Sequence, residues 1–362
     1  MNRATLFLGL AVLLPGCKTA PLPDLRMPAT DLGPILLHGD AFDSLGARDP
    51  YILAANDSFY LYYDAAGAEG WKAAVAISAD LRRWEKKGTI LELGDSSDAD
   101  AKSASYAVVA SGDGGCFMLY LATQKSFHRV WKIPANPYRI CSATAPHPLG
   151  PWTQNRVPLL PLGDAGEFDE MATCPAFLLK HRDGWLMFYS AAGRREGSPL
   201  LHRTIGLAAA DSLTGKWRKT GVPLLPPGEQ IENASLYYEA SSGHWFLFSN
   251  RVTCLPPRVK SVVALGAGRP LEYTDAIVVY WSDNLYIWDA RNKAVVLDGS
   301  NVSWSTHIIG LPSVIAGNDT LWIFYDGRMG SNELWGYPDG ADHMQRDIGL
   351  SYLELPLRAP GR

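Results

Sequence analysis

The chain has 362 residues, with 33 Lys and Arg against 37 Asp and Glu and a formal net charge of −4. No basic stripe accompanies that balance, which argues against nucleic acid as a partner. Cys116, Cys141, Cys174 and Cys254 are too widely spaced for a compact zinc site, so no metal ligand set is expected. An exported chain could pair these four cysteines in three ways. Cys116 and Cys174 lie in apolar, strand-like stretches where free thiols are common, and no disulfide is expected.

At the N-terminus, Arg3 supplies a positive charge ahead of an apolar run from Leu6 to Leu14, too short to span a bilayer as a folded helix. The run reads as a signal-peptide core. Leu14-Pro15-Gly16-Cys17 resembles a bacterial lipobox, in which the signal is cut before the cysteine and the thiol takes a diacylglycerol. The alternative is a plain secretory signal with an incidental cysteine. Residues 1–16 are thus expected to be a lipoprotein signal, Cys17 the lipidation site, 17–33 a Pro-rich tether and 34–362 the folded domain. Lys18 after the cysteine, in place of Asp, resembles outer-membrane sorting in Gram-negative bacteria. An exported protein anchored in the cell envelope follows, touching membrane through its lipid alone.

Beyond residue 40 the chain repeats. An apolar strand recurs as FYLYYDA from Phe59, CFMLYLAT from Cys116, WLMFYSA from Trp185, WFLFSN from Trp245 and LWIFYDG from Leu321. About ten residues before each lies a second apolar segment: PYILA, YAVVA, PAFLLK, ASLYYE and PSVIA. Each pair reads as a hairpin. A turn element then closes most units, as in Ser78-Ala79-Asp80-Leu81 with Trp84, or Ser282-Asp283-Asn284-Leu285 with Trp288. There the Asp side chain caps a turn and the Trp starts the next strand, packing between sheets. No long stretch keeps a 3.6-residue period free of Gly and Pro. The predicted fold is all-β: a five-bladed β-propeller with four-stranded antiparallel blades, against a β-sandwich, which needs no repeat.

In a propeller the starts of the innermost strands converge at one mouth of the central channel. Those starts carry Arg48-Asp49-Pro50, Phe168-Asp169-Glu170, Ile231-Glu232-Asn233 and Trp304-Ser305-Thr306-His307. With these motifs the chain resembles the five-bladed propeller glycoside hydrolases, the superfamily of arabinanases, β-xylosidases, invertases and levanases, over residues 40 to 355. The resemblance implies that Asp49 is the catalytic base or nucleophile and Glu232 the general acid. Arabinanase-like members place a third Asp just before the blade-three proline. Cys174 stands there in this chain; the nearest acids are Asp169 and Glu170, and either one of them has taken over the role from a shifted strand start or the role is absent. The "NDPNG" start of invertase-like members is also missing. A smaller family of the superfamily, acting on marine galactans, is thought to use a histidine as acid, which draws attention to His307. That residue could equally be packed, contact sugar, or lie near a channel cation, calcium or sodium, as in some arabinanases. No cofactor is required.

Glycoside cleavage needs one carboxyl protonated and one ionised. Asp49, next to Arg48, is expected to stay ionised. Glu232 has no cation adjacent in the chain and is expected to sit drier, with a raised pKa. The plainer alternative for both is a turn cap or a surface acid. Arg194, Arg195, Arg251 and Arg328 follow the second hairpin strands, so they face the mouth and offer forks for an anionic sugar. Trp71, Trp131, Trp304 and Trp335 could stack on sugar rings, although Trp in such repeats is mostly structural. The sequence therefore points to an inverting glycosidase acting on a carbohydrate partner. The alternatives are a non-catalytic sugar-binding lipoprotein and a glycoside phosphorylase.

Overall fold

The structure, a computed structural model, describes residues 21–112, 114–127, 130–194, 196, 200–254, 272–329 and 344–361. Cys17, Lys18, Arg195 and Trp335 lie outside them. The first strand, β1 (Thr30–Leu36), stands apart from the repeats that follow. Blade one consists of β2 (Gly46–Ala55), β3 (Ser58–Gly67), β4 (Gly70–Ser78) and β5 (Glu85–Thr89). Blade two is β6 (Ser103–Gly112), β7 (Gly115–Thr123), β8 (Arg139–Ala145) and β9 (Thr153–Asn155). Blade three is β10 (Ala172–His181), β11 (Gly184–Arg194), β12 (Leu201–Ala210) and β13 (Arg218–Pro223). Blade four is β14 (Ile231–Glu239), β15 (His244–Cys254), β16 (Glu272–Ser282) and β17 (Lys293–Leu297).

Among the described residues, blade five has three strands of its own, β18 (Ile309–Gly317), β19 (Thr320–Arg328) and β20 (Arg346–Glu354). Its outer strand is β1, antiparallel to β20 with Thr30 opposite Tyr352 and Leu36 opposite Ile348. Gly33 and Pro34 are tolerated because β1 is an edge. The innermost strands β2, β6, β10, β14 and β18 touch in sequence, and β18 returns to β2, so the ring closes. This is the expected five-bladed propeller.

The boundary expected at residue 34 falls inside β1. The segment before it is also docked and is no free tether in this part. Met27 N–H donates to Val295 O at 2.9 Å, Ala29 N–H to Val296 O at 3.1 Å, and Arg26 pairs with Asp298 at 2.9 Å.

Apolar clusters fill the spaces between neighbouring blades. Tyr62, Tyr120 and Tyr189 lie in one, Phe246 and Tyr325 in another. The blade-closing turns take the expected form. Ser78 Oγ accepts from the N–H of Asp80 and Leu81, and Asp80 from the N–H of Arg82 and Arg83. The Trp84 and Trp288 indoles donate back to Leu81 O and Leu285 O, a tie the sequence did not suggest. Cys116, Cys141 and Cys174 are free thiols.

Candidate active site

Every inner strand breaks register near its start, at Arg48/Tyr51, Ser105/Ala107, Pro175/Phe177, Glu232/Ser235 and Gly310/Ser313. Bulges of this kind re-aim side chains. Three of the bulge residues, Asp49, Tyr106 and Asn233, have φ of +55°, +43° and +61°. Left-handed backbone at non-glycine positions costs energy and clusters where a site is held in shape.

On blade one, Asp49 is buried and its Oδ1 accepts from Arg48 Nε at 3.0 Å. Close by lies the Asp64 carboxyl, on β3 opposite Arg48. Asp64 Oδ1 in turn accepts the Tyr106 N–H. Burial pushes the Asp64 carboxyl well above the ordinary carboxylate range, with Asp49 adding and Arg48 opposing. Burial raises Asp49 as well, against the pull of Arg48. The Arg48 guanidinium lies over the Trp71 ring at 5.2 Å and 4.0 Å from Asp326 Oδ2, which Arg346 holds at 2.9 Å.

On the blade-three and blade-four side stands Glu232, three-quarters buried. The cation beside it is Arg203 of β12, which binds both Glu232 and, at 2.8 Å, Glu272 Oε2. The expectation that Glu232 lacks a cation is therefore corrected, because its partner comes from another blade. Two carboxylates around one guanidinium leave the cluster with one negative charge. The Glu232 backbone is fixed by Ser249 Oγ donating to its carbonyl at 2.7 Å, and that of Asn233 by its N–H to Ser190 Oγ at 2.7 Å.

Cys174, on β10, is within electrostatic range of both groups. Burial pushes its thiol well up, Glu232, Asp49 and Asp64 add to that, and Arg203 opposes. Tyr138 feels Cys174, Arg203, Glu232 and Arg48 together. Asp49, Asp64, Glu232 and Arg203 are thus all within electrostatic range of one thiol, which stands where the resembling families carry a third acid.

Asp169, expected to be catalytic, is engaged by side chains of its own blade. It is fully buried and accepts from Tyr189 OH and Lys219 Nζ, both at 2.9 Å. Asp100 does the same for Tyr120 and Arg156, and Asp43 for Tyr63 and Lys86, in their own blades. Glu170 ties a loop, accepting from the Arg194 and Gly166 N–H groups and from the Arg194 guanidinium at 3.0 Å. Arg251 is paired with Asp275, its Nε 2.9 Å from Oδ1. Arg328 bonds Ser305 Oγ and Gln345. The forks of Arg194 and Arg251 therefore already hold protein carboxylates, which weakens the case for an anionic sugar.

Trp304 donates to Tyr325 OH at 2.7 Å, and its ring would touch a Cβ at Gly327 or Gly349, so it is a packing residue. Trp71 is buried beneath Arg48. His307 is exposed, two residues before β18 at the mouth face. Among the described residues no three of His, Cys, Asp and Glu gather as a metal site.

Asp64, Arg203 and Glu272 escaped the sequence reading. Asp64 and Asp326 did leave a signal, as acids inside otherwise apolar repeats (FYLYYDA and LWIFYDG). A charge there needs a buried partner.

No family model and no curated protein matches the sequence. Solved structures do. The protein BT0996, in complex with RGII, superposes with a TM-score of 0.65 at 15% identity, covering 93% of this protein and 96% of that one. Zg3597, a family 117 glycoside hydrolase produced by the marine bacterium Zobellia galactanivorans, gives 0.63 at 16%, covering 93% and 94%. The α-L-arabinofuranosidase PaAbf62A from Podospora anserina, in complex with cellotriose, gives 0.60 at 12%, covering 92% and 99%. This chain has the fold of the five-bladed propeller glycoside hydrolases. At such identities the likeness carries the fold, and the chemistry rests on the residues at the mouth.

Proposed function

We propose that the chain is a glycoside hydrolase that cleaves a poly- or oligosaccharide between Asp49 and Glu232, with inversion. The observation that carries this is the pair of unlike carboxyl environments flanking Cys174. Asp64 stands on the adjacent strand of the same hairpin as Asp49, so the pair serves one side of the site together. Asp49 is accordingly the base that activates water, with Asp64 supporting it from behind. Glu232, across the space, is the acid. Arg203 holds Glu232 against Glu272 and orients it toward the leaving oxygen. His307, exposed at the rim, is placed to contact sugar.

The fold's relatives fit this reading, since BT0996 was solved with RGII and PaAbf62A with cellotriose. The test is hydrolysis of a panel of plant and algal oligosaccharides by the wild-type protein, Asp49→Asn and Glu232→Gln. Both variants should lose at least about a hundredfold in kcat while melting like wild type. Full activity in either removes that residue from the mechanism, and an inert wild type across the panel removes the reading.

A further inference from the structure

In four of the five repeats the sixth residue of the second hairpin strand is polar: Asp64, Ser190, Asn250 and Asp326. Each stands opposite an inner-strand residue at or next to the register break: Arg48, Cys174, Glu232 and Gly310. Two of them reach across to the next blade. Asp64 Oδ1 accepts the Tyr106 N–H, and Ser190 Oγ accepts the Asn233 N–H at 2.7 Å. Tyr106 and Asn233 are both bulge residues of an inner strand, with left-handed backbone at φ of +43° and +61°. One repeat position thus pins a strained peptide in the neighbouring blade.

Ser190 makes a two-point clamp. Its hydroxyl accepts the Asn233 N–H and donates to Asn233 Oδ1 at 3.0 Å. From the other side, Asn233 Nδ2 donates to Asn250 Oδ1 at 2.8 Å, and Asn250 lies opposite Glu232 in the β14–β15 ladder. Ser190, Asn233 and Asn250 are all buried, so removing a partner there leaves a polar group unpaired away from water. Asparagine tolerates left-handed backbone better than most side chains, yet the conformation still costs energy and has to be held. Glu232 is the preceding residue, and the direction of its side chain follows from the bulge. Blade three therefore holds the blade-four glutamate twice. Arg203 of β12 takes its carboxylate, and Ser190 of β11 takes the backbone beside it.

We propose that Ser190 is a positioning residue for Glu232: by pinning the left-handed peptide at Asn233 it aims the carboxyl at the leaving oxygen. The proposal deepens the hydrolase reading and rests on it for its kinetic arm. Ser190 acts through the backbone and touches no substrate in this role. Its loss misdirects proton delivery and leaves the water-activating side at Asp49 as it was.

Ser190→Ala removes both bonds to Asn233. Two measurements decide. On an oligosaccharide of the panel, whose leaving oxygen needs a proton, kcat should fall about ten- to a hundredfold with KM little changed. On a dinitrophenyl glycoside of the same sugar, whose leaving group departs without a proton, kcat should stay close to wild type. An equal loss on both substrates, or no loss on either, overturns the proposal. A crystal structure of the substrate-free variant reads the same point without turnover. Asn233 should leave its left-handed conformation, and the Glu232 carboxylate should move away from Arg203. A Glu232 side chain that has not moved overturns the proposal as well. If Ser190→Ala does not fold, Ser190→Cys, which keeps the volume and weakens both bonds, carries the same measurements. If no substrate turns over, the crystal structure alone judges Ser190, and the hydrolase reading falls separately.

Discussion

Asp49 draws its character from three directions: Arg48 next to it in the chain, Asp64 across the hairpin and Tyr106 behind Asp64 in the next blade. Only the first of these is adjacent in sequence. That is why the Asp-Pro motif was legible and the second carboxyl beside it was not. Glu232 shows the same limit, since Arg203 reaches it from the third strand of blade three. Asp169 shows the converse. Its acid type and its place before β10 match a site residue, yet Tyr189 and Lys219, both of its own blade, hold one of its oxygens. Replacing Asp169 by Ala would strand a buried tyrosine hydroxyl and a lysine. The expected outcome is a loss on the order of 3 kcal/mol in a denaturant melt, with kcat of the surviving folded protein unchanged. A large fall in kcat at wild-type stability would return Asp169 to the chemistry.

Among the elements, the five hairpins were readable because each is a dense apolar and aromatic pair bounded by turn residues. The outer strands were harder. β9 has three residues and β5 five, and each has one face on solvent. β1 was missed because Pro34 and Gly33 look like linker, and nothing local marks a strand whose partner, β20, is some 300 residues away. Its far end is latched by His38, whose N–H and Nδ1 both reach Asp347 Oδ1, at 2.8 and 2.7 Å. The hydrogen bond to Asp347 raises the imidazole pKa above its ordinary value, against partial burial, with smaller effects from Asp43 and Lys86. A histidine raised on folding stabilises fully below its unfolded value, about pH 6.5, and that stabilisation is lost as pH rises through the folded value. Thermal melts from about pH 5 to about pH 9 should therefore show His38→Phe closing the gap to wild type as pH rises. A gap that stays constant would show that the imidazole charge contributes nothing to the latch.

For the whole molecule, the repeat supplies both stability and function. Five sheets, each too small to cover its own faces, bury them against neighbours, and ring closure brings their inner strand starts to one mouth. The inner strands differ at their starts: acids on blade one, a clamped glutamate on blade four, a thiol on blade three. The most direct check is a crystal structure of the Asp49→Asn variant with a bound oligosaccharide from the panel. The account predicts the scissile oxygen beside Glu232 and the sugar carbon facing residue 49, with the two side chains about 6.5–9.5 Å apart across it. A glycan lodged elsewhere, or both side chains on the same face of the ring, would contradict it.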